Sequence, residues 1–105
     1  MGAIAPDSEP LVSRLASDPC LGEIVALYAA EMPERIDTLE SHFIARDWSG
    51  LAVCAHQLKG SAGSHGYREI TPLAAALECA VRADRSEAEI TQAFDALIQL
   101  CRRVR

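Results

Sequence analysis

Apolar residues recur along this chain at the spacing of helices. From residue 21 to residue 43 they fall three or four positions apart, as the buried face of an α-helix requires. They are Leu21, Ile24, Val25, Tyr28, Met32, Ile36, Leu39 and Phe43. Pro33 lies inside this run and should bend the helix or break it locally. The pattern predicts one long, bent helix that begins at Asp18-Pro19 and ends near Arg46.

Helix start signals divide the rest of the chain. Asp47 or Ser49 is placed to cap a helix that runs from Leu51 to about Ser64. Thr71-Pro72 has the order of a capping residue followed by a proline, which predicts another helix start. The buried side of that helix is marked by Leu73, Leu77, Ala80 and Val81.

Ser86 and Glu89 have the spacing of a capping box and predict the start of a last helix. Its expected buried face consists of Ile90, Phe94, Leu97, Cys101 and Val104. Residues 11–16 form a short amphipathic stretch that predicts a minor first helix. No segment has the alternating, β-branched pattern of a strand. The fold class predicted is therefore all-α, an antiparallel up-down four-helix bundle with a short extra N-terminal helix. Residues 1–9 are expected to form a flexible lead-in, and residues 10–105 are expected to form the domain.

Composition narrows the possible functions. A chain of 105 residues fits one domain, which can bury an adequate core but no large enclosed active-site cavity. The net charge of −5 argues against nucleic-acid binding. The one basic cluster, residues 102–105, is placed to complement the negative end of a helix dipole. Short apolar runs and the absence of a secretory signal predict a cytoplasmic domain without membrane contact.

The four cysteines give no sign of a metal centre or a disulfide framework. They lie far apart, without a C-x-x-C pair: Cys20, Cys54, Cys79 and Cys101. We expect each of them to serve as a small buried apolar residue in a reducing compartment.

The segment from Leu51 to Gly66 contains the residues that suggest chemistry. At 100° per residue its buried face is formed by Leu51, Cys54, Ala55, Leu58 and Ala62. His56 lies away from that face, with Ala52, Gly60 and Gly63 beside it and Lys59 on its flank. A glycine inside a helix costs about 1 kcal/mol relative to alanine, and its usual benefit is close approach of another body to the backbone. The sequence therefore predicts an exposed imidazole on a bare platform with one adjacent cation.

Such a site suits phosphoryl transfer. An imidazole in water is mostly neutral at pH 7, and its free ring nitrogen can attack phosphorus. Phosphoryl transfer depends on positioning and charge neutralisation, which a lysine one helical turn away can supply. No acidic residue has the spacing to bind magnesium next to His56, so we expect any Mg²⁺ to come from the partner and no cofactor in this chain.

Residues 56–66, HQLKGSAGSHG, resemble the signature of histidine-containing phosphotransfer domains, H-x-L-K-G-S-A-x-x-x-G. The resemblance implies that His56 is phosphorylated, that Lys59 assists the phosphate and that Gly60 leaves room for a docking receiver domain. It also implies a phosphocarrier without kinase or phosphatase activity, which moves a phosphoryl group between receiver domains of response regulators or hybrid kinases. His65 departs from the family, in which an apolar residue is more usual at this position.

The helical pattern is also compatible with two other functions. A metal or haem four-helix bundle would place its ligands inward, often as Glu-x-x-His, and the sequence has no such motif. A helical interaction module of the same fold, which mainly binds a partner protein, is the second alternative. Structural or incidental roles are expected for His42 and His65.

Overall fold

The computed structural model describes residues 9–105. It contains five helices: α1 Gly22–Ala30, α2 Met32–Ile44, α3 Trp48–Ser64, α4 Ile70–Arg82 and α5 Glu87–Cys101. This part of the chain has no β-strand and only one isolated bridge, between Leu11 and Val104. The all-α prediction, a four-helix bundle with one extra helix, is thus confirmed. The predicted lead-in, residues 1–9, lies outside the described residues except for Glu9.

The expected bend at Pro33 is a complete break that separates α1 from α2. Pro33 occupies the first turn of α2, where its missing N–H costs nothing. The backbone N–H of Glu31 closes α1 by donating to the carbonyls of Leu27 and Tyr28. The α1 helix begins at Gly22, a little after the predicted start, because Asp18 first caps a turn by accepting from the N–H groups of residues 20 and 21.

The extra helix is α1, and residues 11–16 are not helical. Their backbone makes one local turn bond, from the N–H of Ala16 to the carbonyl of Ser13, while Leu11 bonds to the C-terminal segment and Arg14 bonds to the turn after α3. The N–H of Leu11 donates to the carbonyl of Arg103 at 2.6 Å, and the N–H of Arg105 donates to the carbonyl of Leu11 at 2.9 Å. The buried hydroxyl of Ser13 donates to the carbonyl of His65 at 2.6 Å. The minor helix predicted at residues 11–16 is therefore wrong, because tertiary bonds replace the local ones.

Of the four predicted caps, two begin helices as expected, and Asp18 caps the turn before α1. Asp47 accepts from the N–H of Gly50 and begins α3, and Ser86 accepts from the N–H of Glu89 and begins α5. Thr71 is not a cap, since α4 already begins at Ile70. The hydroxyl of Thr71 instead donates to the carbonyl of Lys59 at 3.1 Å, which joins α4 to α3.

The core largely follows the predicted faces of α2, α3 and α5. On α4, only Leu77 of the four predicted residues is buried, and Ile70 and Ala74, which were not predicted, are buried as well. The whole predicted face of α5 is buried: Ile90, Phe94, Leu97, Cys101 and Val104. Along α1, in contrast, Val25 and Tyr28 are buried while Leu21 and Ile24 are 39% and 53% exposed. Leu27, which the pattern did not assign to the core, is also exposed, so apolar side chains are presented along one side of α1 and at the residue before it.

The cysteines differ in their environments. Cys101 is buried, and burial raises the pKa of its thiol to about 12. Cys54 is half-buried, whereas Cys20 and Cys79 are exposed. The prediction of four buried cysteines is therefore correct only for Cys101. None of the helices within residues 9–105 is long and apolar enough to cross a membrane.

Candidate functional site

His56 lies in the middle of α3, on the side that faces away from the core. Its neighbours Ala55 and Leu58 are fully or almost fully buried, while the side chain of His56 is 61% exposed. The exposed position predicted from the helical periodicity is confirmed. Helix α3 is held against α4 along one side, so the imidazole lies at the edge where the two helices meet.

The three small residues predicted around His56 have different environments. Gly60 is exposed, and a Cβ atom added to it would meet nothing within 4 Å. Gly63 is half-buried, and an added Cβ would lie 3.0 Å from the Thr71 hydroxyl of α4. Ala52 is only 2% exposed, although it lies one turn before His56 on α3. The expectation that Ala52 belongs to an open platform is therefore wrong, and Gly63 makes room for α4.

Of the three predicted small residues, only Gly60 lies on the open side of α3, where three residues that were not predicted accompany it. We call Val53, Gln57, Gly60 and Ser64 the outer face of α3, since all four are exposed. Val53 is 47% exposed although it is apolar, and it lies nearly one turn before His56. The outer face therefore combines a bare glycine with an apolar side chain next to the imidazole.

The carboxylate of Glu78 on α4 holds the imidazole of His56. The sequence pattern did not predict this contact. Nδ1 of His56 lies 3.0 Å from Oε2 and 3.2 Å from Oε1 of Glu78. The same carboxylate accepts from Nζ of Lys59 at 3.0 Å and from Nε of Arg82 at 2.8 Å. The side chain of Glu78 is 13% exposed, so the carboxylate lies under the more exposed groups that it binds. Lys59, singled out from the sequence, is thus joined to His56 through Glu78.

The bonds to Glu78 determine its charge. Hydrogen bonds from Arg82 and Lys59, and a weaker effect of His56, lower the pKa of the Glu78 carboxyl from 4.5 to about 2. Glu78 is therefore ionised at neutral pH and can only accept hydrogen bonds. His56 must then donate through Nδ1–H, which leaves the lone pair of a neutral ring on Nε2. The arrangement selects the nitrogen that is able to act as a nucleophile.

The other two histidines have structural contacts. The ring of His65 stacks on Tyr28, with centroids 4.1 Å apart, and its Nδ1 lies 2.7 Å from the carbonyl oxygen of Ser61. Nδ1 of His42 lies 2.9 Å from Asp47, the residue that caps α3. The pKa of Asp47 is lowered by the backbone bond from Gly50 and by the bond to His42. These contacts support the structural roles expected for both histidines.

Within residues 9–105, no three His, Cys, Asp or Glu side chains are grouped so as to hold a metal ion. The charged groups at His56 are one carboxylate and two cations, which favour binding of an anion over binding of a cation. The chemistry available at this edge is thus that of a nucleophilic ring nitrogen next to positive charge.

Comparison with known proteins identifies the family of this chain. The model of the family described as Hpt domain matches residues 23–105, which include α2 to α5 and nearly all of α1. Searches of curated proteins and of solved structures gave no significant match. Because the family model covers most of the chain, including the helix that presents His56, this protein belongs to the Hpt domain family.

Proposed function

We propose that this protein is a phosphorelay intermediate in which His56 accepts a phosphoryl group from an aspartyl phosphate of one receiver domain and passes it to another. Membership of the Hpt domain family implies histidine phosphotransfer in general. The observation that carries the specific proposal is the 3.0 Å bond between Nδ1 of His56 and Glu78. It leaves Nε2 with its lone pair on an exposed ring, next to cations.

The transfer step balances without a proton relay. The lone pair of Nε2 attacks phosphorus, an N–P bond forms, and the P–O bond to the receiver's aspartate breaks. The electrons of that bond leave with the aspartate carboxylate. Nδ1 keeps its hydrogen, so the phosphorylated ring becomes positively charged, and the Glu78 carboxylate stabilises that charge. Transfer to a second receiver runs the same step in reverse.

Lys59 is proposed to assist by neutralising the phosphoryl oxygens. Its ammonium group lies 3.0 Å from Glu78, on the same edge as the imidazole, and its side chain is 34% exposed. A phosphoryl group brings up to about two negative charges, which favour a nearby cation. Mg²⁺ is expected on the receiver. In this proposal the chain is a carrier in the cytoplasm without kinase or phosphatase activity of its own.

Docking of the receiver is proposed to use the outer face of α3. Gly60 is open to solvent and has no side chain, so a partner can approach the helix backbone closely. Val53 offers an apolar contact at the same surface. Ala52, which is buried, has no part in it.

The proposal is tested by transfer from a receiver domain that carries an aspartyl phosphate. We expect the wild-type chain to take up an acid-labile, base-stable label, as a phosphohistidine does, and to pass it to a second receiver. His56→Gln should lose all label, and His42→Gln, a matched control on α2, should keep it. Label that persists in His56→Gln, or that maps to His42 or His65, would contradict the assignment.

An interaction module of the same fold is the second candidate, and the exposed apolar side of α1 favours it. Leu21, Ile24 and Leu27 are 39%, 53% and 61% exposed, and such patches often mark binding surfaces. This alternative predicts that the chain binds a receiver with equal affinity before and after His56→Gln and takes up no label. Uptake and passage of label by the wild type would decide against it as the main function.

A further inference from the structure

A groove of about 520 Å³ lies between α2 and α3, because α3 packs much more closely against α4 than against α2. Its sides include Thr38, Cys54 and Ser61, whose side chains are too short to fill the space between the helices. Leu39 and Leu58, which are 2% and 4% exposed, give it an apolar floor. Small-molecule sites have volumes of roughly 300–1,000 Å³, so the groove is large enough for a small ligand.

Three charged side chains line the groove, and two of them have incomplete bonding: Glu31, Glu34 and Arg35. Nη2 of Arg35 lies 3.5 Å from Oε1 of Glu31, which is long for an ion pair with a hydrogen bond. Nη1 of Arg35 is buried and has no hydrogen-bond partner within residues 9–105. The carboxylate of Glu34 is exposed and forms no ion pair in the same part of the chain. The groove thus offers one cation and one anion to a ligand.

The guanidinium group of Arg35 is held in place by an aromatic ring. Its central carbon lies 4.2 Å from the centroid of the Tyr28 ring. That ring is fixed in turn by its stack on His65 and by the 2.7 Å hydrogen bond between the Tyr28 and Ser61 hydroxyls. An unpaired buried donor is unfavourable. An acceptor in the groove would therefore be bound by a group that is already oriented.

We propose that this groove binds an α-amino acid with an apolar side chain. The carboxylate of the ligand bonds to the Nη groups of Arg35, since guanidinium and carboxylate groups pair through two parallel hydrogen bonds. The ammonium group of the ligand pairs with Glu34, and the side chain lies over Leu39 and Leu58. A single carbon separates the two charged groups of an α-amino acid, which matches two adjacent residues of opposite charge on α2.

The amino-acid site is distinct from His56 and does not depend on the proposed function. Gln57 lines the groove and also belongs to the outer face of α3, so a bound amino acid lies beside the proposed docking surface. Binding is measured without any phosphoryl donor, whether a receiver or a small molecule such as phosphoramidate. Failure of one proposal therefore leaves the other intact.

The test is an NMR titration of the full chain with L-phenylalanine. We expect a saturable shift of the signals of Arg35 and Gln57, with a Kd in the millimolar range. Phenylalaninamide lacks the carboxylate and N-acetylphenylalanine lacks the ammonium group, so each should bind several-fold more weakly. L-alanine, which has the same charged groups without the large apolar side chain, should also bind several-fold more weakly. Absence of a saturable shift, or equal binding of phenylalaninamide and L-phenylalanine, would overturn the proposal.

Two variants assign each charged group of the ligand to its partner. Glu34→Gln should weaken L-phenylalanine several-fold and leave N-acetylphenylalanine unchanged. Arg35→Lys should weaken L-phenylalanine several-fold and leave phenylalaninamide unchanged. Each comparison uses two ligands on the same variant, so a general loss of stability does not imitate the result. Glu23→Gln is the matched control, because Glu23 is exposed on α1 and lies outside the groove. Variants that weaken all ligands equally would contradict the assigned pairs and overturn the proposal.

Discussion

Two histidines belong to α3 and its C-terminal cap, His56 in the middle of the helix and His65 directly after it, and both rings are held through Nδ1. His56 bonds to the ionised carboxylate of Glu78, next to two cations, and its side chain is 61% exposed. His65 bonds to a neutral carbonyl oxygen and stacks on the ring of Tyr28. The same side chain on the same helix thus has a charged partner at one position and a packed, neutral one at the other. A ring nitrogen becomes a candidate phosphoryl acceptor through the charges around it, and exposure alone is insufficient.

The largest effect should come from removing the charged partner of His56. Glu78→Ala should lower the rate of phosphotransfer about tenfold or more, by analogy with the loss of a carboxylate that orients a metal-binding histidine. Glu78→Gln should fall between Ala and wild type, because its amide oxygen still accepts from Nδ1 but carries no charge. Transfer from a phosphorylated receiver measures both variants.

His65→Gln is the matched control for this comparison. It should transfer at close to the wild-type rate and instead lower the denaturation midpoint, because the stack on Tyr28 is lost. If His65→Gln impaired transfer as much as Glu78→Ala, the contrast between His56 and His65 would be wrong.

The second largest loss of transfer should come from a side chain that blocks the outer face of α3. Gly60→Gln is expected to slow transfer from a receiver about tenfold, since the new side chain stands where the partner must dock, and to leave labelling by phosphoramidate unchanged. Gly60→Ala should transfer nearly normally and be more stable by about 1 kcal/mol, because its Cβ meets no atom within 4 Å. Equal transfer by Gly60→Gln and wild type would remove Gly60 from the docking surface.

Lys59→Ala should reduce transfer several-fold, and Lys59→Arg should restore part of the rate. The reason is electrostatic, so the loss should shrink at high salt, which screens exposed charges over about 10 Å at 0.1 M. Rates measured at low and high ionic strength check this. A wild-type rate for Lys59→Ala at low salt would mean that the ammonium group does not assist the phosphoryl group.

The smallest effect concerns the dependence of stability on pH. The pKa of Glu78 is lowered from 4.5 to about 2 in the folded state, so its ion pairs stabilise the fold fully above pH 4.5. That contribution is lost as the pH falls from 4.5 to about 2. The difference in urea midpoint between wild type and Glu78→Gln should therefore be small at pH 7 and disappear near pH 2. A difference that grows on acidification would contradict the assigned pairing.

Local patterns predicted much of the fold. The buried face of α5, its cap at Ser86 and the cap at Asp47 follow from spacing within a few residues, and all three are present. The errors occur where a partner elsewhere in the chain decides. Residues 11–16 bond to the C-terminal segment instead of forming a helix, and Leu21 and Ile24 on α1 are exposed although they continue the apolar spacing.

The candidate site divides in the same way. The sequence determined that His56 faces outward with Lys59 nearby, because helical periodicity places the buried face of α3 on its other side. Only the tertiary structure decided that Ala52 is buried and that Glu78 holds the ring. The contact between His56 and Glu78 joins residues 22 positions apart and depends on how α4 is rotated against α3. Periodicity within one helix carries no information on that rotation, so the charged partners of the imidazole appear only when the helices are packed.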